Sequence, residues 1–352
     1  MLTEINSLFG GFAELKKVKG NQVVSVANDK QADYTNIRND VGILPMTFTT
    51  YYKITGDEAE ETLDYLLTKS VQYLNYGQNR MCYFLKESGE IAAFVTVYKN
   101  DESFLIEAFN WDTQAVETIL AKSNLSYDKL NYSCILLEGL DTINFMADAM
   151  ELTVDYFVYQ SHQDLDCFGK DIIIARTGYT GEFGYKLIGD VESIKHIWGN
   201  ILPAHKSKVV GYDAFEMCHY EIKQPFWELP YLSLSKNAFE VDYHWLVDFK
   251  KDIDYVGKEA LLNTKFAEAN KRIIGALADA ESPVGNDVML EGTVVGKVVD
   301  SRLSYGLNKY LTMLLVDKDY AHANIAFETA SGQKLVTTSA PYIFPASWSA
   351  GR

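Results

Sequence analysis

An apolar, β-branched run, Ile172-Ile173-Ile174-Ala175, feeds into Arg176-Thr177-Gly178-Tyr179-Thr180-Gly181-Glu182-Phe183-Gly184-Tyr185-Lys186-Leu187. This pattern predicts a strand that enters a glycine-rich turn. Three glycines within seven residues allow positive φ and close backbone approach, which a plain hairpin seldom needs three times. Around them stand a guanidinium, two phenols and a carboxylate, the groups that grip a flat, hydrogen-bonding heterocycle. For this segment alone, a polar turn joining two strands is the simpler reading.

Periodicity along the chain places further elements. Gly56 to about Ser70 reads as a helix with acids crowding its first turn and Leu63, Leu66 and Leu67 as its apolar stripe. Strand-like runs at Met81–Leu85, Ile91–Tyr98 and Ser103–Ala108 surround Gly89, and a helix is expected over Thr113–Ala121. Val191, Ile194, Ile197, Trp198 and Ile201 mark another helix, and Asp213–Lys223 and Lys258–Ala269 two more. After about Arg272 the chain turns into short β runs: Ile273–Leu277, Val288–Leu290, Thr293–Val299, Leu311–Val316 and Asn324–Thr338. With no regular βαβ repeat, the expected class is α+β, ending in a closed or sandwich-like β domain.

At 352 residues the chain suits two or three domains. Its content, 47% hydrophobic and 23% charged, is that of a soluble globular protein. There is no apolar run of about 18 residues for a membrane span. The N-terminal residues show no basic start followed by an apolar stretch, so a cytoplasmic location is expected. Cys82, Cys134, Cys167 and Cys218 lie far apart, which argues for reduced thiols over a metal site or disulfide framework. A net charge of −16 without a dense Lys/Arg cluster argues against nucleic acid as a partner.

The glycine-rich segment resembles RTGYTGE(D/A)G(F/Y)E, the signature of the glycine-cleavage T-protein family of folate-dependent aminomethyl- and methyltransferases. The resemblance extends over seven blocks in the right order. Val41-Gly42-Ile43-Leu44 and Lys53-Ile54-Thr55-Gly56 fall within the first, and Arg80-Met81-Cys82-Tyr83 resembles RAQY. Gly89 to Tyr98 is similar to GGVIDDLIVY, and Glu107-Ala108-Phe109-Asn110 to NAAN. Gly211 to Trp227, Val247 to Leu261 and Gly296 to Leu307 continue the series. The resemblance implies a three-domain cloverleaf with a C-terminal β-barrel around a central folate channel. Its expected parts are 1–50 with 135–270, then 51–134, then 271–352.

The family's pterin pocket implies cofactor-binding roles for Tyr83, Tyr98 and Asn110, and for Tyr179, Glu182, Tyr185 and Lys186 of the signature segment. Each tyrosine is equally at home as half-buried strand packing, and Asn110 as a turn residue. Three positions depart from the family. Phe94 stands at the catalytic aspartate of IDD, Lys186 at the glutamate of GYE, and His219 at the arginine of RLEAG. Glu182 or Glu221 is expected to supply the missing carboxylate. His219, near neutrality, is the candidate general acid or base.

The resemblance, with Phe94 in place of the aspartate, implies a tetrahydrofolate-dependent methyltransferase or demethylase acting on a small O-, N- or S-methyl donor, while Lys186 and His219 count against that reading. The alternatives are a glycine-cleavage aminomethyltransferase, whose partner would be a lipoyl carrier protein, and a non-catalytic folate-binding paralogue.

Overall fold

The structure is a computed structural model that describes residues 14–225, 237–266 and 270–350. It opens with a hairpin, β1 (Glu14–Val18) and β2 (Asn21–Val26), followed by α1 (Lys30–Asn39). Asp29 caps α1 by accepting from the Gln31 and Ala32 amides.

The first large sheet uses β3 (Gly42–Pro45), β9 (Tyr132–Glu138), β10 (His162–Cys167), β11 (Lys170–Ala175) and β12 (Gly184–Asp190). Its order is β10-β11-β12-β9-β3. The second uses β4 (Thr49–Thr55), β5 (Gln78–Leu85), β6 (Ile91–Lys99), β7 (Phe104–Phe109) and β8 (Ser126–Leu130), in the order β5-β6-β7-β4-β8. Every large-sheet pairing for which a register is given is antiparallel.

Each sheet buries its outer face under helices. α2 (Ala59–Leu66) and α3 (Thr113–Lys122) contribute Leu63, Val116 and Leu120 to the core behind the second sheet. α4 (Thr142–Met150) and α5 (Val191–His205) cover the first, and α5 buries Ile194, Ile197, Trp198 and Ile201 at the expected spacing. α2 is shorter than its leucine pattern predicts. Asp64 turns inward, accepts from the Val71 amide at 2.6 Å, and draws the chain back around its carboxylate after Leu66.

The inner faces of both sheets meet α6 (Tyr212–Ile222) in one central core. α7 (Lys258–Phe266) precedes the barrel; the predicted helix end at 267–269 lies outside the described residues. The barrel comprises β13 (Lys271–Ala278), β14 (Asp287–Leu290), β15 (Thr293–Ser304), β16 (Lys309–Asp317), β17 (Ala326–Thr329) and β18 (Lys334–Thr338). It closes where β18 pairs with β13. The expected run over Asn324–Thr338 divides into β17 and β18 at the Gly332 turn, where φ is +81°. The α+β class and the C-terminal barrel stand as the sequence predicts. Among the described residues, no helix is long and apolar enough to cross a membrane.

Candidate functional site

Residues paired across antiparallel strands stand side by side, and successive rows on one face are ~7 Å apart. The inward face of the second sheet therefore carries two distinct rows. Tyr83 pairs with Phe94, and the Val95–Ala108 register sets Phe94 beside Phe109. In the next row Met81, Thr96, Glu107 and Tyr51 follow one another across four strands. The first row is an aromatic wall. Phe94 stacks on Phe109 with centroids 5.9 Å apart, Phe109 stacks on Trp111 at 4.8 Å, and Tyr83 meets Phe94 edge-on at 5.9 Å.

The second row is polar because of one carboxylate. Lys186, reaching across from β12, donates to both oxygens of Glu107 at 2.8 and 2.7 Å and to the Tyr179 hydroxyl at 2.6 Å. Tyr98 donates to Glu107 Oε2 at 2.6 Å. The Lys186 and Glu107 side chains are 0% and 2% exposed, so an ammonium and a carboxylate are desolvated together. Either alone at this depth would cost several kcal/mol. Burial first, then Glu107, raises the Tyr98 and Tyr179 phenols well above their ordinary range, so both remain neutral donors.

Glu138, on β9, shapes the glycine-rich turn. It accepts from the Tyr179 amide and, at 3.1 Å, from the Thr180 amide. A Cβ at Gly178 would fall on this carboxylate, so only glycine lets the turn close over it. Burial pushes the Glu138 carboxyl up to about 7, against the hydrogen bonds from Thr180 and Tyr179 and the charge of Lys186.

His219 projects from α6 into the same core. Its ring stacks on Tyr179 with centroids 5.2 Å apart and lies edge-on to Phe215 at 4.4 Å. Burial, then the charges of Arg38 and Lys186, hold its pKa well below the usual imidazole range. It is therefore a neutral ring near pH 7, and burial with two cations nearby makes it a weak proton acceptor.

Tyr83, Tyr98, Tyr179, Lys186 and His219 are thus gathered in one buried cluster, here termed the chamber. The other sequence-predicted residues stand elsewhere. Tyr185 is on the outer face of β12 and donates to the Val154 carbonyl at 3.0 Å. Side chains alternate along a strand, so it cannot share a face with Lys186. Asn110 is tied into a short 3-10 turn by Asn21 at 2.8 Å and Thr50 at 2.6 Å.

Glu182 accepts from the Ser347 amide at 2.9 Å and the Ala346 amide at 3.3 Å, clasping the C-terminal segment. Glu221 accepts from Tyr34 at 2.8 Å, Ser304 at 2.6 Å and the Gly306 amide at 3.1 Å. Arg38 bridges the two carboxylates at 3.3 and 3.0 Å. Both carboxylates expected to replace the missing one, Glu182 and Glu221, are thus engaged by Arg38, by backbone amides and by the hydroxyls of Tyr34, Ser304 and Ser347, while Glu107 and Glu138 are the carboxylates beside Lys186 and Tyr179. In the aromatic run Tyr243-His244-Trp245, Tyr243 is buried while Trp245 is 48% exposed; Phe226 and Trp227 lie outside the described residues.

Glu107, Glu138 and Arg38 escape the sequence reading. The available signal was a lone acid inside the apolar run Phe104–Phe109 and a lone lysine inside Gly184–Asp190, opposite charges in two buried strands.

Residues 15–251 match the family described as the GCVT N-terminal domain. The chain is 26% identical over 317 residues to an aminomethyltransferase of Thermotoga petrophila, covering 85% of each. It is 25% identical over 312 residues to one of Clostridium botulinum (strain Kyoto / Type A2), covering 84% of this chain and 83% of the relative. The crystal structure of glycine cleavage system aminomethyltransferase T from Bartonella henselae superposes with a TM-score of 0.85 over 97% of both chains, at 18% identity. With a match that spans well over half its length, this chain belongs to the GCVT N-terminal domain family.

Proposed function

We propose that this protein is a tetrahydrofolate-dependent one-carbon transferase that moves a methyl group from a small O-, N- or S-methyl donor. The observation that carries this reading is Phe94. It stands where the family resemblance places a catalytic aspartate, and it is locked into the aromatic wall of Phe109 and Trp111. A phenyl ring cannot handle the protons of an aminomethyl transfer, but it offers an apolar surface to a methyl donor.

Two polar groups of the cluster support a pterin as its ligand. Glu107 Oε1 accepts only from Lys186 among the described residues, and the Tyr83 hydroxyl, 1% exposed, has no partner among them. A buried hydroxyl without a partner is costly unless a ligand satisfies it.

When bound, tetrahydrofolate supplies the nucleophilic nitrogen that takes the methyl group. On transfer, the bond from methyl to the donor heteroatom would break with its electron pair left on that heteroatom, and the proton lost from nitrogen would pass to an oxygen or amine leaving group, or to water where the leaving group is a thioether. Neutral His219, stacked on Tyr179, would present a flat polar ring to the bound pterin. The rings of Phe94, Phe109 and Trp111 exclude water, and positioning supplies much of the rate.

Incubation with tetrahydrofolate and a panel of aryl methyl ethers, methylammonium and methylsulfonium compounds, read by mass spectrometry, tests the proposal. The expected result is 5-methyltetrahydrofolate from at least one donor. The names of the relatives favour a second reading, aminomethyl transfer from a lipoyl carrier protein. Methylenetetrahydrofolate released from the aminomethylated carrier, with no methyl product, would establish it in place of the first. Folate binding without either product would indicate a non-catalytic paralogue.

A further inference from the structure

We infer that Glu107 reads the N–H edge of the bound pterin, with Lys186 as the residue that positions it. The ring-edge carboxylate of this protein therefore stands on β7 of the second sheet, not on β12 after the glycine-rich turn. The inference rests on the proposed folate reading and assigns the contact that gives it specificity.

Three features converge on it. Glu107 is the inward-facing acid of the second sheet's polar row, between Thr96 and Tyr51. All three protons of Lys186 are committed, two to Glu107 and one to Tyr179, so the ammonium has no donor left for a ligand. Glu107, in contrast, keeps acceptor capacity. Its Oε2 takes bonds from Lys186 and Tyr98, while Oε1 takes one. A carboxylate accepts about four bonds, so a flat N–H donor finds an open lone pair on Oε1.

Glu138 is the other chamber carboxylate, and two backbone amides of the turn hold it. The aromatic row of Tyr83, Phe94 and Phe109 lies ~7 Å from Glu107, a distance that a two-ring heterocycle spans. The Tyr83 hydroxyl, buried and unpartnered among the described residues, stands two strands across the same sheet face from Glu107 and offers a second polar anchor.

The chemical class so recognised is a 2-amino-4-oxopyrimidine fused ring. Its exocyclic amine is the donor a carboxylate distinguishes best.

The test is calorimetric titration with tetrahydrofolate and with an analogue whose 2-amino group is replaced by methyl. The proteins are the wild type, Glu107→Asp and the double variant Glu107→Gln/Lys186→Met. The double variant removes both charges together and so leaves neither buried alone. Glu107→Asp keeps the ion pair's charge balance and serves if the double variant does not fold. The expected result is a loss of tetrahydrofolate affinity of about 10- to 100-fold in the variants, with the analogue bound equally by all three proteins. Equal tetrahydrofolate affinity in the wild type and variants would overturn the assignment. So would an equal loss for both ligands, which marks a merely structural pair. No binding to the wild type at millimolar tetrahydrofolate would overturn the folate reading itself, and the assignment with it.

Discussion

Phe94 and Glu138 decide the character of the chamber residue by residue. Phe94 is buried in contact with two rings of its own sheet, Tyr83 and Phe109, so Phe94→Ala should lower the unfolding free energy by about 3–5 kcal/mol in urea titrations. Glu138 gives a pH signature. Its carboxyl titrates at about 7 in the fold, against 4.5 for the free group. The folded state therefore holds a proton that the unfolded chain has released between those values. The contribution is present below 4.5 and is lost as pH rises to about 7, on the order of 3 kcal/mol. Glu138→Gln should flatten the wild-type slope over that window; an unchanged slope would contradict the assignment. The gathering of Tyr83, Tyr98, Tyr179, Lys186 and His219 was legible because the first three match positions of the family's motifs and the last two depart from them at such positions. Glu107 was not, because which face of β7 it occupies depends on register with β6 and β4, and its partner lies 79 residues away.

At the level of elements, the glycine-rich turn is held from both sides. Glu138 grips it from β9, and Glu182 fastens the C-terminal segment onto it through Ala346 and Ser347. Ser347 also donates from its hydroxyl to Glu182 at 2.5 Å and accepts from the Phe183 amide at 3.0 Å. Ser347→Ala should cost about 1–3 kcal/mol, measured by thermal or urea unfolding. The strap was invisible in the sequence, since nothing local to residues 345–349 indicates that they return to a turn 164 positions earlier. Strand β12 and strand β7 are joined by the buried ion pair. Lys186→Met alone should destabilise by about 3–5 kcal/mol, leaving Glu107 uncompensated, and adding Glu107→Gln should recover most of that loss. The shortened α2 follows the same logic: Asp64 looks like an ordinary helix residue until its backbone partner at Val71 is known.

For the whole molecule, the α+β class and the β-rich end were legible from periodicity, because short β runs and amphipathic helices are local patterns. Strand order and barrel closure were not, since the β13–β18 pairing joins the two ends of the C-terminal domain. The molecule surrounds its chamber with a net charge of −16. Folate carries an anionic glutamate tail, so association should accelerate as ionic strength rises from 0.01 to about 0.15 M, the reverse of electrostatic steering. Stopped-flow tyrosine and tryptophan fluorescence would show this. The central claim, that the chamber is a folate site, is tested most directly by calorimetric titration of tetrahydrofolate into the unmodified protein. Saturable one-to-one binding is the predicted result. No heat of binding at millimolar folate, from a protein that unfolds cooperatively, would contradict it.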